Sequence, residues 1–169
     1  MKTTTQKLVI SSLFAALICA ATMLIKIPSP LKGYLNLGDG FVLLAAWILP
    51  LPYGLACAGL GSALADLFSG YAVYAPATFA IKALMAVAAH SIYTLYAKNT
   101  KTAAARIFSG ILAEVVMILG YLLFESFLYG FVPSLVNVPA NAVQGVAGIV
   151  IGAALITVIE KQNLLNFLK

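Results

Sequence analysis

Apolar runs of helical length, interrupted by short proline-bearing or polar breaks, predict six helices over about 7–27, 39–49, 53–68, 76–97, 103–129 and 138–159. A membrane-crossing helix needs about 20 apolar residues, and the second run is far shorter than the others. The breaks have local causes. Pro28 and Pro30, with Gly33, Gly38 and Gly40, prevent a continuous helix after the first run, so 28–40 is expected to be a structured loop. Pro50-Leu51-Pro52 turns the chain directly into the third helix, and Pro76 suits the first turn of the fourth. Lys98-Asn99-Thr100-Lys101-Thr102 is the clearly hydrophilic connector. Asp39 is placed to cap the second helix, where a carboxylate meets free N–H groups and the positive dipole end.

Composition turns these helices into membrane spans. Of the 169 residues, 63% are hydrophobic and 9% charged, whereas globular chains carry about 25% charge. The expected architecture is therefore an all-α polytopic membrane protein, one domain over 1–169, with a six-helix bundle and a short second helix. The net charge of +5 is scattered at helix ends without a basic run interleaved with aromatics, which argues against nucleic acid. It has a topological meaning instead. Lys2, Lys7, Lys98, Lys101, Arg106, Lys161 and Lys169 fall on one side of a six-span bundle, and Lys26 and Lys32 on the other, which predicts cytoplasmic termini. The first run is long for a cleavable signal, and Ala16-Leu17-Ile18 before Cys19 is a poor lipoprotein box, so it is expected to stay as a helix. Cys19 and Cys57 fall mid-helix as packing residues, and no CxxC or HExxH spacing supports a metal. The sequence has no P-loop, GxSxG or dinucleotide fingerprint, so neither a cofactor nor catalysis by this chain is expected.

Candidate chemistry centres on 59–85, where Asp66 and Lys82 interrupt apolar, small-residue helices on either side of an aromatic connector, Ser69 to Pro76. Ionisable groups in hydrocarbon are costly unless paired or facing a polar cavity. At about 1.5 Å rise per residue, Lys82 lies roughly 9 Å below the outer end of the fourth helix. Asp66 and Glu125 fall near the outer ends of the third and fifth helices, and Asn36, Tyr71, Tyr74, Asn137, Asn141 and Gln144 at a similar level. This predicts a pocket with apolar walls and a few polar groups. Lys82 is expected either to be neutralised by Asp66 or Glu125, where a pair with Asp66 would simply lock two helices, or to be offered to an anionic or acceptor-rich ligand. Tyr71 and Tyr74 suit stacking on a flat heterocycle or interfacial anchoring. Glu114 shares a helix face with Glu125 but lies deeper, and His90 is expected to make one hydrogen bond within the bundle. Ser12, Ala16 and Ala20 form a small-residue stripe at four-residue spacing, able to meet a neighbouring helix of the bundle or of a partner.

Three strings carry a family resemblance: Tyr34-Leu-Asn-Leu-Gly-Asp39, Gly61-Ser-Ala-Leu-Ala-Asp66-Leu-Phe-Ser-Gly70, and Ala75-Pro-Ala-Thr-Phe-Ala-Ile-Lys82. Together with the six-helix plan, they resemble the substrate-binding S components of energy-coupling factor (ECF) transporters along nearly the whole chain. That resemblance implies a bacterial or archaeal cell-membrane protein that captures a vitamin or precursor from outside. It also implies association with a membrane coupling subunit and two ATPases, which would hydrolyse ATP, with Ala16 and Ala20 on the contacting face. The Ser69-Gly-Tyr-x-x-Tyr-Ala-Pro-Ala-Thr-Phe79 string looks most like branches assigned to pyridoxine or hydroxymethylpyrimidine, with riboflavin- and queuosine-type substrates as alternatives. A non-transporting membrane scaffold, or a membrane enzyme using Asp66, Glu114, Glu125 or His90, are the readings from other classes.

Overall fold

The computed structural model describes residues 3–29 and 33–163. Its helices are α1 Thr4–Leu24, α2 Gly38–Ile48, α3 Leu51–Phe68, α4 Ala75–Tyr96, α5 Thr102–Tyr129, a single turn α6 Phe131–Ser134, and α7 Val138–Lys161. A 3-10 turn, Leu135–Asn137, joins α6 to α7, so the segment after α5 is largely helical rather than open loop. Two short strands, β1 Ile27–Pro28 and β2 Tyr34–Leu35, pair antiparallel between α1 and α2.

Local chemistry sets the boundaries. α1 starts earlier than its apolar run because Thr3 caps it: the Thr3 hydroxyl accepts from Gln6 N at 3.2 Å, and the Gln6 side chain accepts from Thr3 N at 3.3 Å. It stops at Leu24, short of the expected Ile27, since Pro28 biases the residue before it to extended backbone and that residue joins β1. Gly130, at φ 89° and ψ 156°, ends α5 in a conformation open essentially only to glycine.

Four of these helices, and the continuous stretch 131–161, are long and apolar enough to cross a membrane. The chain is a multi-pass membrane protein. α2 is different: eleven residues reach about 16 Å, roughly half the ~30 Å hydrocarbon core. It is apolar on every side and accordingly enclosed, with Val42, Leu43 and Ala45 fully buried among α1, α3, α4 and α7. Glycine makes this enclosure possible. A Cβ on Gly40 would lie 2.5 Å from Ile151 Cγ2, so α2 and α7 cross nearly backbone to backbone. At the last turn of α2, His90 Nδ1 meets the carbonyl of Ala46 at 2.9 Å, which supplies a partner for an otherwise orphaned group.

The short helix leaves space on the outer side. Asp39, in the first turn of α2, meets Lys82 and Gln144, each six residues into α4 and α7 counted from Pro76 and Val138. α2 thus begins about 9 Å below the outer ends of those helices. The β1–β2 hairpin fills the height that α2 does not reach. Among its described residues, backbone groups are served by strand pairing, by Ser29 N donating to Gly33 O at 2.9 Å, and by Asn36 N donating to Gln144 Oε1 at 2.9 Å.

Asp39 does not cap α2. The N-cap is Leu37, without a side-chain cap, and the Asp39 carboxylate turns inward to the ammonium of Lys82. A buried cation exerts a stronger claim on a carboxylate than two or three backbone amides that neighbouring groups can also serve.

Candidate functional site

The site has a floor, a cavity and an outer rim. The floor is the Lys82–Asp39 ion pair, with the two residues 2% and 0% exposed. Asp39 Oδ2 accepts from Gln144 Nε2 at 2.7 Å, and Lys82 Nζ stands 5.6 Å from the centre of the Tyr121 ring. The expected partners of Lys82, Asp66 and Glu125, are therefore replaced by Asp39. Glu114 lies deeper than Glu125, as its position on α5 implies, and belongs to the floor. A Cβ on Gly148 would lie 2.7 Å from Glu114 Oε1 and 2.8 Å from Asp39 Cβ, so one glycine notch in α7 admits both side chains. Neither Glu114 oxygen receives a hydrogen bond.

Above the floor lies a cavity of about 30 Å³, room for no more than a few waters. Asn36, Asp66, Tyr71, Tyr74, Glu125, Asn141 and Gln144 line it, which brings together seven residues singled out from the sequence. Lys82 is absent from the lining because Asp39 holds it below. Asn137 is also absent from it, since it stands behind Glu125 and donates to Oε1 at 2.8 Å. Ser29, Gly33, Tyr34, Thr78 and Tyr121 complete the lining and had not been singled out. Helical spacing offered a signal for two of them: Thr78 precedes Lys82 by four residues and Tyr121 precedes Glu125 by four, so each shares a face with a residue already suspected. Their hydroxyls meet at 3.1 Å.

The outer rim is aromatic. The hairpin delivers Tyr34, whose hydroxyl donates to Asp66 Oδ1 at 2.7 Å. Burial and the neighbouring Asp66 carboxylate push the Tyr34 phenol well above its ordinary range, so it keeps its proton and remains a donor. Its ring lies 4.8 Å from that of Tyr71, which in turn stands edge-on to Tyr74 at 6.4 Å. Lys26 ties the hairpin to the end of α3, donating to Ser69 Oγ at 2.9 Å.

The Ser12, Ala16 and Ala20 stripe lies elsewhere. All three residues are exposed, on a groove between α1 and α3 that Leu60, Leu64 and Phe68 complete. Packing within the bundle instead uses Phe14, Ile18 and Ala21, one face round on α1. Among the described residues, no group of three or more His, Cys, Asp or Glu is arranged to hold a metal.

Comparison with known proteins fits this architecture. A solved structure of the S component of a bacterial ECF transporter superposes with a TM-score of 0.72, at 27% identity, covering 99% of each chain. A protein of Pyrococcus woesei, described as an uncharacterized protein in the gap 3′ region, is 36% identical over 147 residues, covering 86% of this chain and 95% of that one. The family model described as ECF-type riboflavin transporter, S component, matches residues 2–161. The chain belongs to this family of transporter S components, and is a multi-pass cell-membrane protein and not an enzyme.

Proposed function

We propose that this chain captures a small water-soluble vitamin or precursor from the outer side of the membrane. Delivery inward follows its association with a membrane coupling subunit and two ATPases, which hydrolyse the ATP. The observation that carries this reading is the polar cavity built above the truncated α2, where residues of α3, α4, α5, α7 and the hairpin converge within otherwise apolar walls. A structural lock between helices needs no such lining.

Riboflavin is the first ligand to test, because the family description names it. Pyridoxine or hydroxymethylpyrimidine is the second reading, and a specific observation favours it. The cavity of about 30 Å³ must enlarge for any ring, and a single ring demands less displacement of Tyr34 and Tyr71 than a tricyclic one.

Native mass spectrometry of the gently purified protein, followed by titration of ligand-free protein with riboflavin, pyridoxine and hydroxymethylpyrimidine, checks the proposal. Saturable binding at sub-micromolar Kd, on the order of −8 kcal/mol or better, is expected for one of them. Absence of any bound molecule, together with failure to associate with a coupling subunit, would return the chain to the scaffold reading.

A further inference from the structure

The cavity has a charge character that the family description does not specify. Two carboxylates face it, Asp66 from α3 and Glu125 from α5, and they are 5% and 3% exposed. Each has one oxygen well occupied and one poorly served. Asp66 Oδ1 accepts from Tyr34, while Oδ2 has no close hydrogen bond, only the Thr78 hydroxyl and the more distant Lys82 charge bearing on the carboxylate. Glu125 Oε1 accepts from Asn137 at 2.8 Å and from the Tyr74 hydroxyl at 3.4 Å, while Oε2 receives none. Thr78, beside the same cavity, shares its hydroxyl hydrogen bond with Tyr121.

Among the described residues, the lining contains no Lys, Arg or His. Lys82 is drawn below by Asp39, and Lys26 lies outside, on Ser69 and 5.9 Å from the centre of the Tyr34 ring. What surrounds the two carboxylates is aromatic: Tyr34, Tyr71, Tyr74 and Tyr121. Aromatic faces attract cations, and buried carboxylate oxygens without donors are costly until a donor or a positive charge reaches them. An acceptor-rich ligand would leave both oxygens unmatched.

We infer that the cavity selects a flat nitrogen heterocycle bearing a positive charge or an amine, with Asp66 and Glu125 as its two anchoring acceptors and the tyrosines as its cage. This rests on the substrate-capture reading and narrows it. The two anchors lie on different helices, so a ligand joining them bridges α3 and α5.

The test compares ligands that share a ring. Full-length protein in detergent is titrated calorimetrically with pyridoxamine, its hydroxymethyl twin pyridoxine, and riboflavin, alongside native mass spectrometry of the protein as purified. The amine is expected to bind at least about tenfold more tightly than its twin, the equivalent of one charge-assisted contact. Asp66→Asn and Glu125→Gln, each nearly isosteric, are each expected to erase that preference, so that amine and twin bind within about threefold of one another in each variant. Equal or tighter binding of pyridoxine or riboflavin, or a preference unchanged in both variants, overturns the cation cage and leaves capture intact. Complete absence of a saturable or co-purified ligand overturns the capture reading, and the cage with it.

Discussion

Lys82→Met is expected to destabilise the protein by about 3–5 kcal/mol, the usual consequence of stranding a buried charge by removing its partner. For a chain of this length, that corresponds to a fall in Tm on the order of 10 °C, measured by thermal unfolding in detergent. The size follows from the surroundings. Asp39 is wholly buried, its other oxygen is served by only one amide, and Glu114 lies beside it with no donor at all. Without Lys82, two carboxylates would share one notch with no cation between them. The double variant Asp39→Leu/Lys82→Met removes both charges of the pair and is expected to recover part of the loss, since apolar replacement of a buried pair is often close to neutral while Glu114 is still left without a cation. A single variant as stable as the wild type would show that the pair contributes nothing, and the floor would need another explanation.

The largest functional effect at a distance from the cavity is expected from Ala16→Trp/Ala20→Trp. Both alanines are exposed, so the fold and ligand binding should persist. On the expectation that the coupling subunit docks on this face, filling the groove they share with Leu60, Leu64 and Phe68 overpacks a close helix contact at a cost of about 1–3 kcal/mol, or roughly ten- to a hundredfold in association. Co-purification with the coupling subunit should fall by that factor, and uptake by cells should fall with it while ligand titration of the isolated chain is unchanged. Undiminished assembly would place the contact on another face.

Much of this architecture was legible in the sequence because depth in a membrane helix tracks residue number. Counting along the helices was enough to bring Asp66, Glu125, Asn141 and Gln144 to one level, and they line one cavity, whereas Lys82, counted to the same level from Pro76, is held below it by Asp39. Azimuth and partner choice were not legible in the same way. Asp39 sits at the start of a helix, where its local role is capping, and nothing within a few residues reveals that its partner is 43 residues away. That choice depends on how far down the bundle α2 begins, which is a consequence of packing. The tyrosines show the same limit. Tyr71 and Tyr74 were conspicuous in the connector, whereas Tyr34 acquires its role only because the hairpin folds back to Asp66. Branch assignment from the Ser69 to Phe79 string leaned towards pyridoxine or hydroxymethylpyrimidine, while the family model carries riboflavin in its description. Short strings report the backbone plan more reliably than the few side chains that separate one ring system from another.

The tightness of the cavity has a kinetic consequence. Tyr34, held by Asp66, and the Lys26–Ser69 contact stand at the rim of the cavity, and entry of a ring is expected to require that both open. Stopped-flow association should then lose its linear dependence on ligand concentration and level off at the opening rate, with Tyr34→Phe raising the plateau. An uptake system of this kind would be limited at high vitamin concentration by how often the Tyr34–Asp66 contact opens, and only at scarcity by how often a ligand arrives.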